Sequence, residues 1–493
     1  MDPSTSSRVE ELRELCRAPL PYPDRQELHD CGEQVLEYVL RHFATLPEQS
    51  IGKTATRTEM EALLCEPPPE QPQPFETAFQ CFTDIVAVHA CRTNHPRFLA
   101  FIPGAPNFIS VLGDLLCSGT NFFAGVWLEA PGPAQVELVV LDWFRQFLGL
   151  PMGTQGVLTG GGSEANLTAL VTAREKLSDD QRARAVLYVT EERHWSADRA
   201  AKIMGLRAKQ LRPVPVDEQF QMSITALQDL VGRDRRAGLY PWAVVANGGA
   251  TNTGAVDPLE ELADVCTAER LWFHVDAAYG WTAVLTEEGR RNLAGIGRAD
   301  SVTLDPHKWL AQPYEAGCVL VRDGRMLVET FGVKPDYMQD VAAAADEVNF
   351  ADHGLALTRR FRALKIWLSM KVLGVGWFRA LVTHSYHLAE LAQRLLELDS
   401  DFEILSGRRL SIVCFRYLPA TRTRLVDADI DRLNLALIDA VRATGRAFLS
   451  STRLRGLVAL RMCFVNWRTT TTDVEEVVAL LQRLGAELAA TRN

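Results

Sequence analysis

The reading of this chain turns on Ser301-Val302-Thr303-Leu304-Asp305-Pro306-His307-Lys308-Trp309. Ser301 and three residues of β-branched or apolar type form a short strand. A lysine follows at once, between a histidine and a tryptophan. Most lysines are solvated on surfaces, but one just past a strand's carboxyl end stands where open α/β sheets hold their ligands. Upstream, Leu271-Trp272-Phe273-His274-Val275-Asp276-Ala277-Ala278-Tyr279 repeats the arrangement, with an aspartate ending an apolar strand. A carboxylate buried there without a partner is costly, so Asp276 calls for a cation.

A lysine amine and a carboxylate in these places suit pyridoxal phosphate. The amine forms a Schiff base with the aldehyde, and the carboxylate keeps the pyridine nitrogen protonated. A third stretch supplies an anion site. Thr159-Gly160-Gly161-Gly162-Ser163-Glu164-Ala165-Asn166 leads into a helix through Arg174. Its glycines let backbone amides face a phosphate, Ser163 adds a hydroxyl, and the helix start adds a positive dipole. It is not a Walker A loop, because no lysine follows the last glycine. Taken alone, a Gly-rich turn is more often only a turn.

Composition sets the frame. The chain has 493 residues, 47% hydrophobic and 23% charged, with a net charge of −10. That length suggests two or three domains. The acidic balance argues against nonspecific nucleic-acid binding. No apolar run reaches the ~20 residues of a membrane span, and Met1 to Arg17 is charged throughout, unlike a secretory signal. The ten cysteines are scattered without a CxxC motif, as expected of thiols in a reducing compartment and not of disulfides or metal ligands. A cytoplasmic protein without nucleic-acid or membrane partners is the expectation.

The pattern divides the chain at 1–74, 75–370 and 371–493. The first part is helical from Ser7 to about Leu46, has a capping box at Thr58 and Glu61, and ends in a proline-rich linker, Pro67 to Pro74. Helix resumes over Phe75 to about Arg92. His95 to Gly104 reads as a rigid loop. From Ala185 onward strands alternate with helices: strands at Ala185–Thr190, Trp242–Ala246, Leu271–Val275, Ser301–Leu304 and Cys318–Val321. This predicts an α/β fold with a mostly parallel central sheet flanked by helices. His194, Thr251, Asp276 and Lys308 then fall on one sheet edge. Each has a bland alternative as a loop or turn residue; the joint pattern weakens those alternatives. Phe331 to about Gly354 is a long irregular stretch, of the kind that forms a water-excluding lid. Helices are expected at Thr358–Met370 and Trp377–Leu396. Two or three strands (Ser411–Arg416, Leu457–Val465) with covering helices and a capping box at Thr472 and Glu475 make a small α+β C-terminal domain.

In the order and spacing of its motifs the chain resembles the group II pyridoxal-phosphate-dependent amino-acid decarboxylases of fold type I, and among them the aromatic-L-amino-acid decarboxylases. The motifs are His95-Pro96-Arg97-Phe98, Gly162-Ser163-Glu164-Ala165, His194, His274-Val275-Asp276-Ala277-Ala278-Tyr279, Pro306-His307-Lys308-Trp309 and Pro335-Asp336-Tyr337. The resemblance runs from about residue 75 to 370 and more loosely to the C-terminus. It implies Lys308 as the Schiff-base lysine, Asp276 at the pyridine nitrogen, Ala278 beneath the ring and His194 stacked above it. Gly162 and Ser163 would take the phosphate, Thr251 and His307 would lie near cofactor and substrate carboxylate, and Tyr337 would reprotonate Cα. Phe101, Ile102, Pro103, Phe123 and His307 would line the substrate pocket. It also implies a homodimer with interface active sites and N-terminal helices wrapping the partner, and no metal.

The chain departs from the family at Asp305, where asparagine is usual, at Gly104, where a threonine is common, and at Ile102 and Gly125, which replace phenylalanines. The apolar Leu99-Ala100-Phe101 favours an aromatic or other uncharged substrate over glutamate, aspartate or cysteine sulfinate. A decarboxylating aldehyde synthase, in which dioxygen enters after CO2 leaves, is the near alternative; retention of Tyr337 and His194 disfavours it. A non-catalytic scaffold on the same fold is disfavoured by the intact lysine, aspartate and phosphate loop.

Overall fold

The computed structural model describes residues 3–333, 346–419 and 426–491. Tyr337 lies outside the described residues. The chain forms two compact units, Met1–Cys91 and Arg92–Asn493.

The first unit is helical, with helices Pro3–Leu15, Arg25–Thr45, Arg57–Leu64 and Phe75–Cys81, the last running into a π turn, Phe82–Val86. The helix Arg25–Thr45 starts at a capping box made by Asp24 and Glu27. The box of the next helix is Thr56 with Glu59, not Thr58 with Glu61. The sequence offers Thr-x-x-Glu twice, and the earlier pair gives a longer helix with both reciprocal hydrogen bonds made. Arg25–Thr45 buries no residue, and Leu28, Leu36 and Leu40 are exposed.

The second unit is built on a seven-stranded sheet: β1 (Gln155–Thr159), β2 (Ala185–Thr190), β3 (Leu211–Val214), β4 (Tyr240–Asn247), β5 (Trp272–Asp276), β6 (Ser301–Leu304) and β7 (Gly317–Val321). Its order is β1-β7-β6-β5-β4-β2-β3. All neighbours are parallel except β7, which runs antiparallel to both β1 and β6. Strands β2, β6 and β7 are buried at every residue, as a sheet covered by helices on both faces requires. With β7 reversed between them, β1 and β6 point the same way. The carboxyl ends of β1, β2, β4, β5 and β6 therefore share one edge.

The smaller sheet comprises β8 (Phe402–Arg409), β9 (Ile412–Tyr417), β10 (Ser450–Leu454) and β11 (Leu457–Cys463). It is antiparallel in the order β10-β11-β9-β8. Helices Asp427–Ala443 and Thr471–Ala490 cover it with an apolar core that includes Phe415, Leu437, Leu460 and Val477. The last helix is capped by Thr470 with Asp473, not Thr472 with Glu475; four consecutive threonines offer several starts, and the earlier one is used. The loop before residue 104 fastens to this sheet, with Leu99 N–H donating to Phe448 O and Cys463 N–H to Leu99 O, both 2.9 Å.

Between the two sheets runs Ala363–Glu397, broken at Gly374, whose φ of 73° is the left-handed value that glycine tolerates. Among the described residues it is the one helix long and apolar enough to cross a membrane. It behaves as a core helix: Ile366, Met370, Phe378, Leu381 and Val382 are buried in the main core of the unit.

Candidate active site

Five strand ends meet at one cavity of about 470 Å³. The turn after β1 brings Gly162 and Ser163, the turn after β2 brings His194, and the segment after β4 brings Thr251. β5 ends on Asp276, with Ala278 two residues on, and the segment after β6 brings His307 and Lys308. All eight line the cavity. Phe101, Ile102, Pro103 and Phe123 do not line it. Ile102 is buried in the core and Phe101 is 58% exposed. Phe123 packs its ring over Gly125, where a Cβ would come within 2.5 Å of it.

A hydrogen-bond chain fixes Asp276 and His194 together. Trp272 Nε1–H donates to Ser301 Oγ (2.8 Å), which lies 2.8 Å from His274 Nδ1. His274 is buried, its pKa driven down to about 4 by burial, and it is neutral. The Asp276 carboxylate can only accept, so the Asn166 amide nitrogen faces it and Asn166 Oδ1 faces His274, whose Nε2–H donates to it (2.9 Å); Nδ1 then accepts from the Ser301 hydroxyl. The Asn166 amide donates both its hydrogens, to Asp276 Oδ2 (2.7 Å) and to Ser196 Oγ (2.9 Å). The Ser196 hydroxyl passes to His194 Nδ1 (2.9 Å). His194 Nδ1 also accepts the Ser196 amide (3.3 Å), which leaves the ring hydrogen on Nε2, and burial lowers its pKa. Every donor in the chain has one acceptor, so the tautomers follow from the partners. Asp276 Oδ1 accepts the Ala278 amide (3.2 Å). Two donors hold this buried carboxylate, and among the described residues no lysine or arginine forms an ion pair with it.

Lys308 Nζ lies 3.2 Å from Asp305 Oδ2. His307 Nδ1 accepts the Ala316 amide (3.2 Å), leaving its hydrogen on Nε2, and burial lowers its pKa. The backbone of this loop is pressed against residue 104: a Cβ on Gly104 would sit 1.8 Å from His307 O. That contact, and not a helix or turn requirement, explains the glycine. Behind Thr251, Arg461 is 3% exposed and donates to Phe101 O (3.0 Å), Thr251 O (2.7 Å) and Asn252 O (3.2 Å). It ties the Phe101 loop and the Thr251 segment to β11.

The cavity fits pyridoxal phosphate. Gly162, Ser163 and Glu164 open the helix Gly162–Glu175, and first-turn amides have no acceptor within their own helix. A Cβ on Gly162 would fill the cradle, reaching Asp305 Oδ2 at 2.9 Å and the Ala278 methyl at 3.3 Å. Asp276 offers the carboxylate, and Lys308 the amine, that such a group needs. Sequence reasoning did not find Asn166, Ser196, Tyr314 or Glu315. Tyr314 stands 5.0 Å from the His307 ring, and the other three line the cavity. Asn166 sits one turn into a helix already read for its glycines. Tyr314 and Glu315 follow the lysine closely, but carry no signal of their own in one sequence.

Residues 58–418 match the pyridoxal-dependent decarboxylase conserved domain. Among relatives, an aromatic-L-amino-acid decarboxylase of Bacillus atrophaeus is 38% identical over 94% of this chain and 96% of its own. Among solved structures, Oryza sativa TDC with pyridoxal phosphate and tryptamine superposes with a TM-score of 0.91 at 26% identity, covering 95% of this chain and 100% of that one. Rhodiola rosea 4-hydroxyphenylacetaldehyde synthase does so with a TM-score of 0.87 at 26% identity, covering 94% and 99%. The chain belongs to the pyridoxal-dependent decarboxylases.

Proposed function

We propose that this decarboxylase removes the α-carboxylate of an aromatic L-amino acid as CO2 and releases the amine, from the cavity at Lys308. The observation that carries the substrate class is the charge of the lining. Among the described residues Lys308 is its one lysine or arginine, while Glu164, Asp276, Asp305 and Glu315 are carboxylates. An acidic side chain entering there meets like charge, and no described residue of the lining offers it a free cation. The names of the similar proteins point the same way: an aromatic-L-amino-acid decarboxylase and a TDC holding tryptamine.

Bound there, pyridoxal phosphate supplies an aldehyde for an amine and a ring that withdraws electrons from a breaking bond at Cα. Lys308 Nζ is the amine proposed to hold it. Asp276, fixed by Asn166 and the Ala278 amide, would face the ring nitrogen as a carboxylate. Gly162 and Ser163 would hold the phosphate at the helix start. Ala278 and His194 would close on the two faces of the ring, and Thr251 and His307 Nε2–H would orient the substrate carboxylate. Holding that carboxylate in place selects the bond that breaks. Tyr337 is proposed to deliver the proton to Cα.

We further propose a homodimer in the cytoplasm. Leu20 and Tyr22 are 90% and 79% exposed, and the neighbouring Arg25–Thr45 helix buries nothing, which suits a segment that covers a partner. All ten cysteines are unpaired and five are buried, which suits a reducing compartment.

The test is product analysis by mass spectrometry with Trp, Tyr, Phe, DOPA, Glu, Asp and cysteine sulfinate as substrates. Amine from an aromatic substrate supports the reading. Amine from an acidic one overturns the substrate class. Aldehyde with peroxide moves the enzyme to the synthase chemistry. Tyr337→Phe is expected to shift product from amine toward aldehyde, and unchanged amine output would reject Tyr337 as donor.

A further inference from the structure

The four carboxylates of the cavity differ in what holds them. Asp276 is fixed by Asn166 and the Ala278 amide. Asp305 lies 3.2 Å from Lys308 Nζ, and Glu164 accepts the Gly160 amide (2.7 Å). Glu315 has no part in the chemistry above. It lines the cavity with its side chain half-exposed, and its Oε1 pairs with Arg362 Nη2 at 2.7 Å. Arg362 itself does not line the cavity, and its side chain is 10% exposed. Glu315 thus stands between the cavity and a buried guanidinium.

That guanidinium is short of acceptors. Its Nε and Nη1 are buried and have no hydrogen-bond partner among the described residues. Its neighbours add cations. Buried Lys365 pairs with Asp114 (3.1 Å), and Arg360 pairs with the same Asp114 (3.2 Å). Among the described residues, Arg360, Arg362 and Lys365 therefore share two carboxylates, Asp114 and Glu315. Burial lowers the Lys365 pKa, and the charges of both arginines lower it further. A buried cation that loses its carboxylate is left at high cost and draws in an anion that can reach it. Truncation of Glu315 opens the space between Arg362 Nη2 and the cavity. The other carboxylate at this wall is Glu164: its Oε2 and that of Glu315 lie 3.2 and 2.8 Å from where a Cβ on Gly160 would stand. Glu164 is kept in place by the Gly160 amide and by its position in the first turn of the helix Gly162–Glu175. The opened space falls to a carboxylate that arrives from the cavity.

We propose that Glu315 is a specificity-determining residue: it occupies the Arg362 guanidinium and so denies that cation to the side-chain carboxylate of an acidic amino acid. Rejection of acidic substrates then has two parts, repulsion by Glu315 itself and removal of Arg362 from reach. The inference rests on the reading of the cavity as a site for aromatic side chains, and it names the residue that enforces that choice.

L-Glutamate and L-glutamine have the same shape and differ in side-chain charge, so their ratio isolates the effect. Each is added as a competitor while the cofactor-loaded full chain turns over an aromatic L-amino acid, and the two inhibition constants are compared. The parent is expected to bind glutamate no better than glutamine. In Glu315→Ala the ratio is expected to move toward glutamate by about tenfold or more. Glu315→Gln keeps an acceptor for Arg362 without the charge; it is expected to move the ratio the same way by less, and it decides the matter if Glu315→Ala does not fold. Adding Arg362→Met to either variant is expected to abolish the gain. A pair that serves only to hold the fold weakens both competitors alike, so an unchanged ratio in the variants overturns the proposal. A gain that survives Arg362→Met overturns it as well. A parent that decarboxylates glutamate in preference to every aromatic amino acid removes the aromatic reading, and the proposal with it.

Discussion

Asn166→Asp changes one atom of the chain that holds Asp276, and its effect follows from the geometry. The Asn166 Nδ2 that donates to Asp276 Oδ2 at 2.7 Å becomes an oxygen. Two ionised carboxylates at that distance repel by about 6 kcal/mol at an effective dielectric of ~20. Relaxation and uptake of a proton by one of the pair reduce this, but either response disturbs the pair, and both disturb the anion proposed to face the ring nitrogen. Asn166→Ala deletes the same hydrogen bond without adding a charge, at about 1.5–3 kcal/mol for a bond to a charged group. The expected order of cofactor affinity is therefore parent, Asn166→Ala, Asn166→Asp, although aspartate is the better isostere. At ~1.4 kcal/mol per factor of ten, Asn166→Ala weakens binding by roughly 10- to 100-fold, and Asn166→Asp weakens it further. Visible absorbance of bound cofactor, titrated against its concentration, gives the three affinities. Urea midpoints of the cofactor-free proteins separate loss of folding from loss of the site. Parent-like affinity in Asn166→Asp refutes the assignment of Asp276 to the ring nitrogen through this chain.

Two further perturbations test the surrounding structure. His274 and His353 are both driven down to about 4 by burial, while an unfolded histidine titrates near ~6.5. Between those values the unfolded chain binds protons that the folded one does not. Their contribution to stability is therefore complete above pH ~6.5 and is lost as pH falls toward about 4, by up to roughly 3 kcal/mol for each group. Asp257, pushed up to about 7 by burial, has the opposite slope but cancels between a parent and a variant. The stability advantage of the parent over His353→Gln, read from urea midpoints, is expected to shrink from pH 7 to pH 4.5; a constant difference contradicts it. Gly104→Ala places a methyl 1.8 Å from His307 O and must move the Lys308 loop or its neighbour. Strain of this kind costs about 1–3 kcal/mol or more, so both the melting temperature and cofactor affinity should fall together. A variant that keeps both means the loop is not seated on residue 104.

The sheet edge that carries the proposed site was legible because each element of it is local. A buried strand ends, and a residue proposed to act there follows within a few positions, as at Asp276 and Lys308. What holds those residues was not legible. Asn166 meets His274 across 108 positions and Asp276 across 110, and Arg461 meets Phe101 across 360. Only the fold makes such neighbours. The missed strands have physical reasons too. β1 is five residues ending in the glycine turn, and its buried face gives no alternation to read. β3 is an edge strand carrying Arg212 and Pro213, a composition that argues against a strand unless it sits at an edge. β8 ends in two arginines and is only partly buried.

The most direct test of the central claim follows the carboxylate carbon. An aromatic L-amino acid labelled with ¹³C in its carboxyl group is given to the cofactor-loaded protein and to Lys308→Ala. Labelled CO2 in equal amount to unlabelled amine is expected from the parent, and neither from the variant. Labelled carboxylate retained in the product, or CO2 and amine formed equally well without Lys308, would contradict it.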